Sequence, residues 1–294
     1  MSPSAAFSGT YAAMLTPFSD DGTVLSEPRL RAYCDFLIER GVHGLFAFGT
    51  TGEWPLLSEA ERATGARVLV EQARGRVPVI IHAGSYGTEQ ACRLAVQARE
   101  TGASAASIVS PPYYALDDQA LFEHFTAVAR AVSGFPVFLY NIPEFTNNDI
   151  STALLLRVAR AAGNVIGLKY SGGSLLRFRE YRRAMGRSFS LFNGNDSLAL
   201  PALHEGADGL VSGNAAAYPE LLVALYGLFR QGRFAEAREK QAELDAFIAG
   251  RDQAKELASL KAILAFRGVP AGEVRAPLRR LEPAGREALR GLAR

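Results

Sequence analysis

Residues 137–170 read VFLYNIPEFTNNDISTALLLRVARAAGNVIGLKY. Val137–Asn141 and Val165–Tyr170 are short and mostly apolar on both faces, as strands buried between helices should be. Between them, Thr152–Ala161 spaces its apolar residues as one face of a helix. A strand, a helix and a second strand in about 35 residues make a βαβ unit, whose two strands run parallel.

The same alternation extends in both directions. Further strands are predicted at Tyr11–Pro17, Gly44–Gly49, Val79–Gly84, Ala105–Ser110, Ser190–Gly194 and Gly209–Ser212. Helices are predicted at Pro28–Arg40, Ser58–Ala73, Thr88–Glu100, Asp117–Ala131, Leu175–Met185, Ser197–Leu203 and Pro219–Phe229. Ser58 followed by Glu61 fits a capping box. Eight strand–helix pairs over about 225 residues predict an α/β protein of the (β/α)8 TIM-barrel type. The rival, a doubly wound open sheet, usually carries a Gly-rich turn after its first strand, and Thr16-Pro17-Phe18 is not one. Past residue 230 the strand signal stops. Gly232–Ile248, Asp252–Phe266 and Pro277–Leu292 read as three helices, giving a barrel over residues 1–229 and a helical extension over 230–294.

Composition excludes several functions. The net charge is +2, so no general nucleic-acid-binding surface is expected. No apolar run reaches 18 residues and no signal-like start is present, so a soluble, cytoplasmic protein with no membrane partner is expected. Cys34 and Cys92 form no Cys-x-x-Cys pair and read as reduced packing residues. His43, His82, His124 and His204 have no metal-ligand spacing, so no metal is expected.

In such a barrel, chemistry sits at the C-terminal ends of strands. Four ends are unusual: Gly49-Thr50-Thr51-Gly52-Glu53, Ser110-Pro111-Pro112-Tyr113-Tyr114, Tyr140-Asn141-Ile142-Pro143 and Lys169-Tyr170-Ser171. Arginine occurs 28 times and lysine four times, and Lys169 is the only lysine in the first 239 residues. An amine at the end of an apolar strand is desolvated, which disfavours its ammonium form and makes it a nucleophile. It can attack a ketone and form an imine, which arginine cannot do. The alternative is a lysine that snorkels or pairs with a carboxylate. Gly49-Thr50-Thr51-Gly52 resembles an anion cradle, or an ordinary turn with self-capping threonines; it lacks the lysine and glycine spacing of a P-loop. Tyr140 is placed to move a proton, or is a core tyrosine bonded to a carbonyl. Tyr113 and Tyr114 suit interface packing equally well.

These motifs, in this order and spacing, resemble the dihydrodipicolinate synthase and N-acetylneuraminate lyase superfamily of class I aldolases, over nearly the whole chain. The resemblance implies a Schiff base on Lys169 and no other cofactor. It gives Tyr140 proton transfer and contact with the keto acid. Thr50 and Thr51 become the pair that holds the pyruvate carboxylate, with Thr51 also in a proton relay. Tyr113 becomes a residue lent across a dimer interface within a homotetramer built as a dimer of dimers. Val211 lines the imine pocket. Lysine-biosynthesis synthases carry an arginine two residues after the proline of Tyr-Asn-x-Pro, where Phe145 stands here. Gly194-Asn195-Asp196-Ser197 is similar to the loop where sugar-acid members bind hydroxyls, which makes Gly194 and Asp196 substrate-binding candidates.

The expected function is cleavage or formation of a 2-oxo acid from pyruvate and an aldehyde, with a 2-keto-3-deoxy sugar acid as the natural substrate class. The alternatives are dihydrodipicolinate synthase, which uses pyruvate and aspartate semialdehyde, a dehydratase working through the same imine, and a non-catalytic keto-acid-binding paralogue.

Overall fold

The computed structural model of the protein describes residues 7–293. Eight parallel strands close into a barrel in sequence order: β1 (Gly9–Ala13), β2 (Gly44–Ala47), β3 (Val79–His82), β4 (Ala105–Val109), β5 (Val137–Asn141), β6 (Val165–Tyr170), β7 (Ser190–Asn193) and β8 (Gly209–Ser212). The barrel expected from the alternation is therefore the fold. Every strand residue but Ile166 is buried, which is why the strands read as continuous apolar runs without a polar alternation.

Two compact units can be described, one of residues 7–9 with 78–211 and one of residues 10–77 with 212–293. The first holds α3 (Thr88–Glu100), α4 (Asp118–Ala131), the one-turn α5 (Pro143–Thr146), α6 (Thr152–Ala161), α7 (Leu175–Met185) and α8 (Ala199–His204). Its register sets the site. Tyr140 pairs with Lys169, and Lys169 pairs with Phe192. Val109 pairs with Tyr140, and Phe192 with Gly209, so these five share one face. That face points inward, because the His82 ring on β3 meets the Tyr140 ring on β5 at 6.2 Å, past the intervening β4. The next inward row holds Phe138 and Gly167. A Cβ at Gly167 would lie 2.2 Å from the Phe138 ring, so only glycine lets that ring fill the core under the lysine. Burying such a ring contributes roughly 1.5–3 kcal/mol.

The second unit holds α1 (Glu27–Glu39), α2 (Glu59–Ala73), α9 (Pro219–Arg230), α10 (Phe234–Ala249), α11 (Glu256–Phe266) and α12 (Pro283–Ala288). β1 and β2 pair through Tyr11 and Gly44, and a Cβ at Gly44 would lie 2.0 Å from the Tyr11 ring. The Ser58–Glu61 capping box is formed, with the Ser58 hydroxyl accepting from the Glu61 N–H at 3.2 Å. The Tyr33 hydroxyl donates to the Ala216 carbonyl at 2.6 Å, tying α1 to the turn after β8. Cys34 is buried on α1. None of the described helices is long and apolar enough to cross a membrane.

Several boundaries differ from expectation: β2 stops at Ala47 and not at Gly49, β3 at His82 and not at Gly84, and β7 at Asn193 and not at Gly194. β1 runs from Gly9 to Ala13 and not from Tyr11 to Pro17, although the Met14 N–H still donates to the Phe46 carbonyl at 2.9 Å. The helix expected over Pro277–Leu292 begins only at Pro283, a residue pre-set for a first helical turn, and ends in a 3-10 turn over Leu289–Ala293. Ser197–Leu203 is a 3-10 turn at Asp196–Leu198 followed by α8.

Candidate active site

Lys169 is only 4% exposed although it carries an amine. Its Nζ stands 4.0 Å from the centroid of the Tyr140 ring, the side chain with which it is paired in register. An aromatic face favours a cation within about 6 Å. Gly194, after β7, borders the lysine: a Cβ there would be 2.8 Å from Lys169 Cε and 2.2 Å from the Ser171 hydroxyl. The strand thus delivers the amine, the neighbouring strand delivers the phenol, and a glycine leaves the space. Phe192 and Val211, the latter on the same face of β8 as Gly209, are both buried on this inward face.

The segment after β5 is braced by two asparagines. Asn141 Nδ2 donates to Asp149 Oδ1 at 2.7 Å and to the Tyr181 hydroxyl at 2.9 Å. Burial pushes the Tyr181 and Tyr170 phenols upward from their ordinary value. Asn148 is buried and donates to the carbonyls of Pro111 and Tyr114 at 2.8 Å each, while its Oδ1 accepts from the Leu116 N–H at 2.7 Å. The loop so held carries Tyr113 at φ 90°, a conformation uncommon outside glycine. Tyr113 is 79% exposed, stacked edge-on with Tyr114 at 5.0 Å. Phe145, on α5, is 67% exposed. Arg177, at the start of α7, is engaged by Asp149 at 3.0 Å and Glu180 at 3.3 Å.

Asp196 opens a 3-10 turn and is half-buried. The buried Asn193 braces the approach to it, its Nδ2 donating to the Asn195 carbonyl at 2.7 Å.

In the other unit, the turn after β2 is tightly specified. Phe48 and Glu53 both have φ near +60°. A Cβ at Gly52 would meet Phe48 Cα at 2.9 Å, and one at Gly49 would meet the Phe46 ring at 2.9 Å. The N–H groups of Gly52, Glu53 and Trp54 close back onto the carbonyls of Gly49 and Thr50. Those three N–H groups are thus engaged within the turn, and Thr50 and Thr51 are half-buried. Thr51 Oγ1 lies 3.2 Å from where a Cβ on Gly213 would stand.

Three contributors escape sequence reasoning. Ser171 and His82 reach Gly194 and Tyr140 only through barrel register, and Asn148 acts on a loop 32 to 37 residues earlier. Among the described residues, no group of three or more His, Cys, Asp or Glu is placed to hold a metal ion.

Residues 6–294 match the model of the dihydrodipicolinate synthetase family. The 4-hydroxy-tetrahydrodipicolinate synthase of Sorangium cellulosum is 38% identical over 271 residues, 92% of this chain and 90% of that protein. The dihydrodipicolinate synthase of Aquifex aeolicus superposes with a TM-score of 0.92 at 30% identity, covering 97% of both chains. A catalytic-lysine mutant of the sialic acid aldolase of Ruminococcus gnavus superposes with a TM-score of 0.95 at 26% identity, covering 98% of this chain and 95% of the other. With a buried amine against a phenol at the mouth of a (β/α)8 barrel, and matches that run the length of the chain, the protein belongs to the dihydrodipicolinate synthetase family of pyruvate-dependent, Schiff-base-forming lyases.

Proposed function

We propose that Lys169 is the imine-forming residue and that the enzyme splits, or reversibly forms, a 2-keto-3-deoxy sugar acid. The observation that carries the reading is the buried Lys169 amine 4.0 Å from the Tyr140 ring centroid. The amine adds to the C2 carbonyl, and Tyr140 gives its proton to the departing hydroxyl, so that water leaves, a protonated imine remains and the phenolate is ready to accept the next proton. The ring face that favours a cation favours this species. Tyr140 takes the proton of the C4 hydroxyl, the C3–C4 bond breaks, and its electron pair enters the imine to give an enamine as the aldehyde departs. A proton returned to C3 and hydrolysis of the imine release pyruvate. Thr50 and Thr51 take the carboxylate, with Thr51 in the proton relay, and no cofactor beyond the imine is used. Gly194, Asp196 and Val211 bound the substrate, and Phe145 flanks the aldehyde half. Tyr113 serves a neighbouring subunit of a cytoplasmic homotetramer, a reading supported by its exposure in the single chain.

The substrate class rests on Phe145, which offers no charge for a second carboxylate. A second reading, synthesis of 4-hydroxy-tetrahydrodipicolinate from pyruvate and aspartate semialdehyde, is favoured by the name of the Sorangium relative. The test of the chemistry is borohydride reduction in the presence of pyruvate, followed by peptide mass mapping. One reduced pyruvate is expected on Lys169, and Lys169→Arg should fold but stay unlabelled and inactive. Label on Lys240, Lys255 or Lys261 would sink the assignment.

A further inference from the structure

Lys261, on α11, is a second buried lysine, and it has a defined task. Its Nζ forms an ion pair with Glu53 Oε1 at 2.7 Å, with both side chains almost wholly removed from solvent. It also donates to the Glu273 carbonyl at 3.0 Å and lies 4.2 Å from the Phe18 ring centroid. Glu53 Oε2 accepts from the Arg275 N–H at 2.9 Å. Glu53 is the residue that ends the Gly49–Glu53 turn, and it holds φ 60° and ψ 34°, a costly backbone for a residue with a side chain.

Arg275 grips the next turn. Its guanidinium donates to the carbonyls of Gly22 at 3.1 Å, Leu56 at 2.9 Å and Thr23 at 2.8 Å, and to both carboxylate oxygens of Glu61. All five guanidinium N–H groups are thereby used. The segment 261–275 thus holds the chain on the C-terminal side of Thr50 and Thr51 at two points, Glu53 and Leu56. A buried charge that loses its partner is strongly unfavourable, so Glu53 cannot leave Lys261 without the turn moving. Burial lowers the Lys261 pKa and the Glu53 carboxylate pulls it back, as befits a pair that is stable only together.

We propose that Lys261 and Arg275 are positioning residues for the Thr50–Thr51 turn, through which the C-terminal segment sets affinity for the carboxylate of the keto acid. The proposal rests on the reading that this turn binds the carboxylate.

The experiment compares borohydride trapping on Lys169 with pyruvate and with methyl pyruvate, a ketone without the charge, at limiting concentrations of each. Lys261→Met should slow pyruvate trapping by about tenfold, on the scale of a misplaced binding group. Methyl pyruvate trapping should stay near wild type. The Glu53→Gln/Lys261→Met double variant, which buries no lone charge, should recover part of the pyruvate rate, and it supplies the same comparison if the single variant does not fold. An equal fall with both ketones, or no fall, overturns the proposal. Thr50→Ala separates the two levels. If it leaves the ratio of the two ketones unchanged, the carboxylate reading fails and takes this proposal with it. If it shifts the ratio and Lys261→Met does not, only the positioning role is lost.

Discussion

Gly194 stands so close to Lys169 that a Cβ on residue 194 would fall 2.8 Å from the lysine Cε. The same Cβ would be 2.2 Å from the Ser171 hydroxyl. Gly194→Ala therefore displaces the amine from its position over Tyr140, or displaces Ser171. Overpacking of this kind costs about 1–3 kcal/mol of stability. Misplacement of a reacting group by about 1 Å can cost about 10²-fold in rate. The expected result is a folded protein with much slower imine trapping, partly recovered by Ser171→Gly, which removes the second clash. A Gly194→Ala enzyme that traps pyruvate at the wild-type rate would show that the lysine does not need this space.

Tyr140 offers two separable things, a ring face and a hydroxyl. Tyr140→Phe keeps the face 4.0 Å from the amine and loses only the hydroxyl. Turnover should fall about 10²–10⁴-fold, the usual range for general acid–base contributions. Imine trapping with pyruvate should fall much less. Tyr140→Leu should weaken both. Near-normal kcat in Tyr140→Phe would reduce the hydroxyl to a structural group.

Acid stability has a local source in Glu61. The hydrogen bond from the Arg275 guanidinium, helped by the Ser58 N–H, holds the Glu61 carboxyl below its ordinary value of 4.5. A carboxylate with a depressed folded-state pKa adds stability above its unfolded value, and that stability is lost as pH falls through the folded value. The melting temperature should thus decline below about pH 4.5 more steeply in the wild type than in Glu61→Gln. Parallel curves for the two proteins would show that this pair contributes nothing to the acid limb.

The barrel was legible because each strand is buried on both faces and because α2, α4, α6 and α7 open on a Ser or Asp side chain that caps the first turn. Val137–Asn141 and Val165–Tyr170 match expectation at both ends for this reason. Lys169, now found buried, stood out because it is the only lysine in the first 239 residues. The turn at Pro143–Thr146 was not, since four residues are too few to show a helical period. Neither was the Glu53–Lys261 pair, whose members are 208 positions apart. A lysine on a predicted helix reads as solvent-facing, and composition carries no information about depth. His82 was weighed only as a metal ligand, whereas its contact with Tyr140 follows from inward alternation on β3 and β5.

Substrate choice turns on Phe145. A carboxylate brought into a protein site needs a charge or several donors, because burying it unpaired is expensive. Arginine presents a planar fork that meets a carboxylate with two hydrogen bonds. Phe145 presents an exposed ring on α5, and Arg177 is already engaged by Asp149 and Glu180. Charge-assisted hydrogen bonds contribute roughly 1.5–3 kcal/mol each, so lack of a bidentate grip is equivalent to about two or more orders of magnitude in kcat/KM. The wild type should therefore condense pyruvate with aspartate semialdehyde poorly and cleave a keto-deoxy sugar acid well. Phe145→Arg should raise the first activity and leave pyruvate trapping on Lys169 unchanged, because the pyruvate half of the site is untouched. Efficient wild-type synthesis of 4-hydroxy-tetrahydrodipicolinate, equal to its best sugar-acid activity, would decide for the second reading. The carboxylate of the semialdehyde would then have to be held by a group other than residue 145.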